Sequence, residues 1–389
     1  MKVSFFLHCT VALLLPLCLL QSVYAGEARN SEAESLLRAV DLALTKSDLA
    51  VDLQDNLTLS AMDVASEVHK FDTKLIPLTK VGFTEGTGSQ LLGMEFRKDL
   101  PSGAAVSYGF VGDRIDDNAG YVVDNPTSAR AYVRVSQGLF RRWGDRYNLT
   151  DLNTSQLRQK KEEIRTERSR QALILDTVKK FYDLVLATQL LDIAKAAYAR
   201  HLEHFNSANS KQAVGLVSKV DVYRAEMAVL DAENVVQKLD RGKRMAFDTL
   251  RDFLQLPDDS SLDVPEQISR LSPTISESWE KELYTSRLDW QALRVSIEIA
   301  KLELFKARQN LTPDIGLSLT LEQKGEGDSA EEALELDQTN WSVQLEMLSS
   351  LDTFEEENVL SRKQIEVARL RRSQKTLKRT ISREAMDAF

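Results

Sequence analysis

The stretch from Arg141 to Leu256 constrains this chain most, because more than a hundred residues there carry a helical pattern interrupted only around Ser207 to Asp221. No proline occurs between Pro126 and Pro257, and within the stretch glycine stands only at Gly144, Gly215 and Gly242, so few residues break a helix. Leu175, Val178, Tyr182, Leu186, Leu190, Ile193 and Ala197 recur at steps of three and four, as do Val220, Tyr223, Met227 and Leu230 on the return. This stripe predicts two very long helices packed antiparallel in the manner of a coiled coil. A first arm from about Asp145 to Phe205 would be roughly 90 Å long at 1.5 Å per residue.

The N-terminus reads as a secretory leader over residues 1–25. Lys2 precedes an apolar run from Phe5 to Leu20, and Val23-Tyr24-Ala25 supplies small residues at the cleavage positions. Both cysteines, Cys9 and Cys18, lie inside it, so the exported chain is expected to carry no disulfide and no thiolate metal site. Beyond the leader no apolar stretch reaches the length of a spanning helix, which leaves a soluble protein or one that enters a membrane as β-structure. The net charge of −9 argues against a nucleic-acid partner. Its acidic run (Asp328, Glu331, Glu332, Glu335, Asp337) and its basic run (Arg362 to Arg383) read as solvated surface.

Two amphipathic helices, Glu32 to about Lys46 and Leu57 to His69, open the mature chain, and Pro77 closes that helical region. The period then changes to two. Leu92, Met94 and Phe96, the turn Leu100-Pro101-Ser102-Gly103, and Val106, Tyr108 and Phe110 form a predicted hairpin. Gly112 to Ser128 reads as a loop, and Ala131, Val133 and Val135 as a strand running to Gln137 and into the long helix. After Pro257 the order helix, strand, loop, strand, charged helix returns: a helix to Asn310, a strand Ile315 to Leu321 with Leu317 and Leu319, an acidic loop, and a strand Trp341 to about Leu348 with Val343 and Leu345. This is duplication of a domain half. The expected division is a leader at 1–25, a first repeat at 26–256, a connecting segment at 257–275 and a second repeat at 276–389. Aligning Trp341 with Ala131 sets Phe389 against Lys179, so the second helical hairpin is expected to be cut short.

Four fragments in order resemble the TolC-type outer-membrane efflux proteins: Leu100-Pro101-Ser102-Gly103 with Val135-Ser136-Gln137-Gly138-Leu139-Phe140, Phe181 to Ala187, Val214 to Val222 with Ala225 and Glu226, and Leu250 to Pro257. The resemblance implies an α+β, mostly helical fold, with long coiled-coil-like hairpins and four strands per protomer in a trimeric twelve-stranded barrel. It implies a passive conduit in the outer membrane, with a periplasmic helical extension, serving tripartite efflux or type I secretion. The partners implied are two further copies, a periplasmic adaptor protein with its inner-membrane pump, and outer-membrane lipid. The membrane strand positions are then Leu92, Met94, Phe96, Val106, Tyr108, Phe110, Val133, Val135, Leu317, Leu319, Val343 and Leu345. The adaptor is expected at the hairpin tip, Val214, Gly215 and Leu216, with Asp221 capping the return helix.

No catalytic residue, cofactor or metal is expected. His201 and His204 sit one helical turn apart beside Glu203, but spacing suggests no third ligand, and no phosphate loop or nucleophile motif is present. The alternative readings are a soluble periplasmic coiled-coil adaptor or scaffold, or a non-functional fragment of a channel.

Overall fold

A computed structural model of the chain describes residues 26–84, 87–117, 125–257, 284–348 and 352–387. The expected leader, and the connecting segment beyond Pro257, lie outside them. Two helices, α1 (Gly26–Lys46) and α2 (Asp48–His69), lead into four strands: β1 (Lys74–Thr84), β2 (Thr87–Asp99), β3 (Ala104–Asp117) and β4 (Thr127–Gly138). A short α3 (Asp145–Asn148) precedes α4 (Thr150–Ala213), a single helix of 64 residues, and α5 (Lys219–Phe253) returns. Then follow α6 (Leu288–Asn310), β5 (Asp314–Gly327), α7 (Ala330–Ala333), β6 (Gln338–Leu348) and α8 (Phe354–Asp387).

The residues fall into two compact units, 1–47 with 173–273, and 48–172 with 274–389, and α4 passes from the second into the first. In the first unit the core is built from Ala39 and Ala43 on α1, Leu173, Phe181, Leu184, Val185 and Leu191 on α4, and Leu250 on α5, each almost fully buried. Lys180 holds its ammonium 5.0 Å from the ring centre of Phe253, joining the two arms. The stripe expected from the sequence is a different one. Leu175, Leu186, Leu190 and Ile193 are exposed, as are Val220, Tyr223, Met227 and Leu230 on α5, while Val178, Tyr182 and Ala197 are half-buried. The helices carry apolar residues on two faces at helical spacing, and only one of them meets this chain's own core.

In the second unit all six strands form one antiparallel sheet in chain order, β1 to β6. This corrects three expectations. The sheet has six strands where the resemblance implies four. Lys74–Thr84 is a strand despite Pro77, because β1 lies at the sheet edge, where a missing N–H is tolerated. The loop expected over Gly112 to Ser128 is shorter, since β3 continues to Asp117 and β4 begins at Thr127. The two halves therefore contribute four strands and two. Where an acidic loop was expected, β5 extends to Gly327 and α7 follows, with the hydroxyl of its N-cap Ser329 accepting from the Glu332 amide.

The foot of the sheet is tied to the helices by polar contacts. Gly103, at φ 86°, turns β2 into β3, and the Gly144 amide donates to Ser102 O at 3.0 Å. Arg141 donates to the carbonyls of Asn310 and Thr312, and Arg142 pairs with Asp314 at 3.0 Å. Along α4 and α6, Lys306 pairs with Asp151 at 2.5 Å, and Glu303 receives both Arg158 (2.7 Å) and Lys363 of α8 (2.6 Å). Burial alone would raise the Glu303 carboxyl, but these two cations outweigh it and hold the group below its ordinary value. Between α6 and α8, Val295, Ile297, Val367 and Ile381 are buried, and Arg287 pairs with Glu384 at 2.7 Å.

Candidate membrane face and docking tip

Residues on one face of a strand alternate with those on the other, so the register sorts every side chain to a side. Leu92, Met94 and Phe96 of β2 oppose Gly112, Phe110 and Tyr108 of β3, and Tyr108 and Val106 oppose Val133 and Val135 of β4. Those two oppose Leu321 and Leu319 of β5, and Leu319 and Leu317 oppose Val343 and Leu345 of β6. All twelve positions singled out in the strands therefore share one face. The same side continues through Ile315 and Leu321 of β5 and Trp341 and Met347 of β6, within the expected strands, and through Leu75, Val81 and Phe83 of β1, which alternation in the sequence did not reveal. In β1 the signal was present as Val81 and Phe83 two apart, and Pro77 masked it.

This face is open. Leu92 is 70 % exposed, Val81 79 %, Leu319 50 % and Leu345 69 %. Phe96 stacks on Tyr108, ring centres 5.1 Å apart. The opposite face carries Ile76, Leu78, Leu91, Val111 and Ile115 but is otherwise mostly polar: Lys74 and Lys80 on β1, Glu95 and Arg97 on β2, Ser107 and Asp113 on β3, Arg130, Tyr132 and Arg134 on β4, Ser318, Thr320 and Glu322 on β5, Ser342 and Gln344 on β6. Its side chains satisfy one another, as where Tyr132 donates to Glu95 and Arg134 to Thr320. A sheet in water hides its apolar face against a core. Here α7 covers only the far end of that face, over Gly325, Gly327 and Ala129; among the described residues nothing covers the rest, and large exposed aromatic residues stand near the strand ends, Phe83 at the end of β1, Trp341 at the start of β6, and Phe140 and Trp143 just after β4.

The hairpin tip occupies Val214 to Ser218. The last turn of α4 closes with the amide of Leu216 donating to Lys211 O and that of Gly215 to Gln212 O, both at 2.9 Å, a Schellman ending with Gly215 at its left-handed position, φ 80°. The apolar residue after such a glycine ordinarily packs on the last helical turn, but the residue waiting there is Lys211. Leu216 is consequently 76 % exposed, beside Val214 at 70 %. The return helix begins differently from expectation: Ser218, not Asp221, is the N-cap. Asp221 closes the capping box from the third helical position, its amide donating to Ser218 Oγ at 3.2 Å and its carboxylate accepting from Ser218 Oγ at 2.6 Å and from the Ser218 amide. Donation from the Ser218 hydroxyl and amide holds the Asp221 carboxyl below its ordinary value. His201 and His204 are exposed on α4, and no group of metal-ligating side chains is found among the described residues.

No protein-family model and no curated protein matches the sequence. Solved structures do match. The CmeC outer membrane channel of Campylobacter jejuni superposes with a TM-score of 0.64 at 16 % identity, over 89 % of this chain and 68 % of that one. The outer membrane protein VceC of Vibrio cholerae gives 0.65 at 13 %, over 91 % and 77 %. A membrane protein of Pseudomonas aeruginosa gives 0.65 at 16 %, over 96 % and 80 %.

This chain has the TolC-type outer-membrane channel fold. At these identities the similarity is one of architecture, carried by helical hairpins and an antiparallel sheet rather than by shared side chains.

Proposed function

We propose that the chain is the outer-membrane channel component of a tripartite efflux or type I secretion system, a homotrimer that conducts passively from periplasm to exterior. The observation that carries this reading is the inverted polarity of the sheet, apolar on its open face and mostly polar, with the strands' charged residues, on the other. That distribution suits lipid outside and water inside. Leu75 to Phe83 on β1 covers nine residues, roughly 27 Å along the strand; tilted by about 35–45° it comes within a few ångström of the apolar band of outer-membrane barrels. The aromatic side chains near the strand ends suit the two interfaces. No described helix is long and apolar enough to cross a membrane; in this reading it is the strands that enter it.

The uncovered stripe on α4 and α5, Leu186, Ile193, Tyr223 and Met227 among it, suits helices of neighbouring copies in a tunnel wall. The tip suits end-on docking of a periplasmic adaptor: Val214 and Leu216 present apolar surface on a turn whose backbone is fixed by the Schellman bonds and the Ser218–Asp221 box. Membrane fractionation tests the reading. A heat-sensitive trimer in the outer membrane supports it; a soluble periplasmic monomer refutes it in favour of an adaptor or scaffold.

A further inference from the structure

We propose that a groove in the apolar face of the sheet, floored by Ala131, holds one hydrocarbon chain of an outer-leaflet lipid. The proposal rests on the channel reading, and it turns part of the membrane face into a defined binding site.

Two neighbouring rows of opposed residues form the groove. One runs through Met94, Phe110, Ala131 and Gln323, the other through Phe96, Tyr108, Val133 and Leu321. Ala131 is the one small side chain among them, so the face dips there between large neighbours. The depression has a volume of ≈ 460 Å³, within the roughly 300–1,000 Å³ of sites that hold small ligands. Its wall is set before anything enters: Phe96 and Tyr108 stack with ring centres 5.1 Å apart, so little side-chain freedom is lost on binding. At the end remote from the long helices α7 bounds the groove, because it rests on Gly325, where an added Cβ would stand 2.1 Å from Ala333 O.

The chemistry of the lining selects the occupant. β2, β3, β4 and β5 each have a strand on both sides, so none of them offers a free backbone edge to a peptide strand. Glu322 and Tyr132 border the groove with their backbone but belong to the other face, where Tyr132 donates to Glu95. That leaves the Gln323 amide and the Tyr108 hydroxyl as the polar side-chain groups of an otherwise aliphatic and aromatic surface. The fitting partner brings no hydrogen-bonding groups of its own, which is the character of an alkyl chain. In a bilayer such a chain gains nothing from burial alone, since lipid is as apolar as the groove. What it gains is dispersion: on the flat part of the face it touches protein on one side, and in the groove on three.

Polarity along the strands orients the lipid. Beyond the groove toward α7, Thr339 stands opposite Gln323, and Arg114 follows on the same face; toward the helices come Val135, Leu319 and Leu317. The polar head therefore lies at the rim remote from the helices, in the outer leaflet. Arg114 is already paired with Asp116 at 2.8 Å, and α7 adds Glu331 and Glu332. The site thus reads the chain rather than the charge of the headgroup.

Lipid counting tests the site. The full chain, purified as the outer-membrane oligomer and reconstituted in vesicles of dioleoyl phosphatidylcholine, is extracted again in mild detergent, and the lipid kept by the intact oligomer is counted by mass spectrometry. Wild type is expected to keep about one lipid per chain. Ala131→Leu fills the floor and Phe110→Ala removes a wall, and each is expected to keep at least about five-fold less. Leu317→Phe, on the same face but outside the groove, is expected to keep the wild-type count. Vesicles of dioleoyl phosphatidylglycerol are expected to give the same count within about two-fold; a larger change overturns recognition through the chain. A wild-type oligomer without retained lipid, unchanged retention in both groove variants, or equal loss in Leu317→Phe overturns the site and leaves the channel reading intact. Absence of the wild-type oligomer from the outer membrane overturns both.

Discussion

Leu319→Arg puts the polarity of the sheet to a quantitative test. Leu319 lies between Val135 and Val343 on the apolar face, near the middle of the row that runs from Ile315 to Leu321 on β5, and it is 50 % exposed. If lipid meets that face, an arginine near mid-depth costs about 2–4 kcal/mol. A middle value of about 3 kcal/mol is roughly a hundred-fold in the folding equilibrium. Its neighbour Ser318 points the other way, between Ser136 and Gln344, so Ser318→Arg meets water and is expected to stay within about 0.5 kcal/mol of wild type. Were the sheet in water on both sides, Leu319→Arg would also fall within about 0.5 kcal/mol, because the leucine is already open to solvent. The assay is urea unfolding of the protein folded into lipid bilayers, read by loss of the heat-sensitive oligomer. Equal stabilities of the two variants would refute the membrane face.

Replacing Leu216 with glutamate and Gly215 with arginine is expected to abolish transport while export and oligomer formation persist; unchanged efflux in that variant would remove the tip as the docking point. The space beside Gly215 is open to 4 Å, so the cost there is the left-handed backbone alone, about 1–2 kcal/mol. Gly103→Ala combines a left-handed φ with a Cβ built 1.8 Å from Arg142 O, whereas Gly144→Ala meets only the φ penalty. Thermal unfolding is expected to show Gly103→Ala less stable by about 2–3 kcal/mol and Gly144→Ala by about 1 kcal/mol. The lowered Glu303 carboxyl stabilises the folded state above its unfolded pKa of about 4.3, and this contribution is lost as pH falls through the lower folded value. Glu303→Gln is expected to flatten unfolding curves in that window by about 1 kcal/mol, Arg158 being largely exposed; an unchanged acid profile would dismiss the pairing as a contributor.

Much of this was legible in the residues. Alternation located β2, β3, β4 and the cores of β5 and β6, because a strand with one apolar face writes that face at every second position. The long hairpin was legible from the scarcity of proline and glycine, and its tip from Gly215. What stayed hidden had physical causes. Pro77 is a poor strand residue except at an edge, and edge status is a property of the assembled sheet. The polar end of β5, Glu322 to Gly327, carries no apolar alternation. On α4, two apolar stripes at the same spacing compete, and the sequence cannot say that Phe181 and Leu184 turn inward while Leu186 and Ile193 do not. The cap fell to Ser218 rather than Asp221 because the helix starts three residues earlier than an Asp221 cap implies.

The sheet also dictates an order of assembly. β1 to β4 form a meander of neighbouring hairpins, and β5 with β6 form another, but β4 ends at Gly138 and β5 begins at Asp314. Closing that one junction from an open chain costs about 4–5 kcal/mol of loop entropy. The pairs Asp151–Lys306 and Arg158–Glu303 flank the junction on the helical side, so docking α6 against α4 brings Asp314 beside Gly138 before any hydrogen bond between β4 and β5 need form. The helices act as the jig in which the sheet is stitched, and a chain whose α6 fails to dock is left with a four-stranded meander and a separate β5–β6 hairpin, each with two open edges.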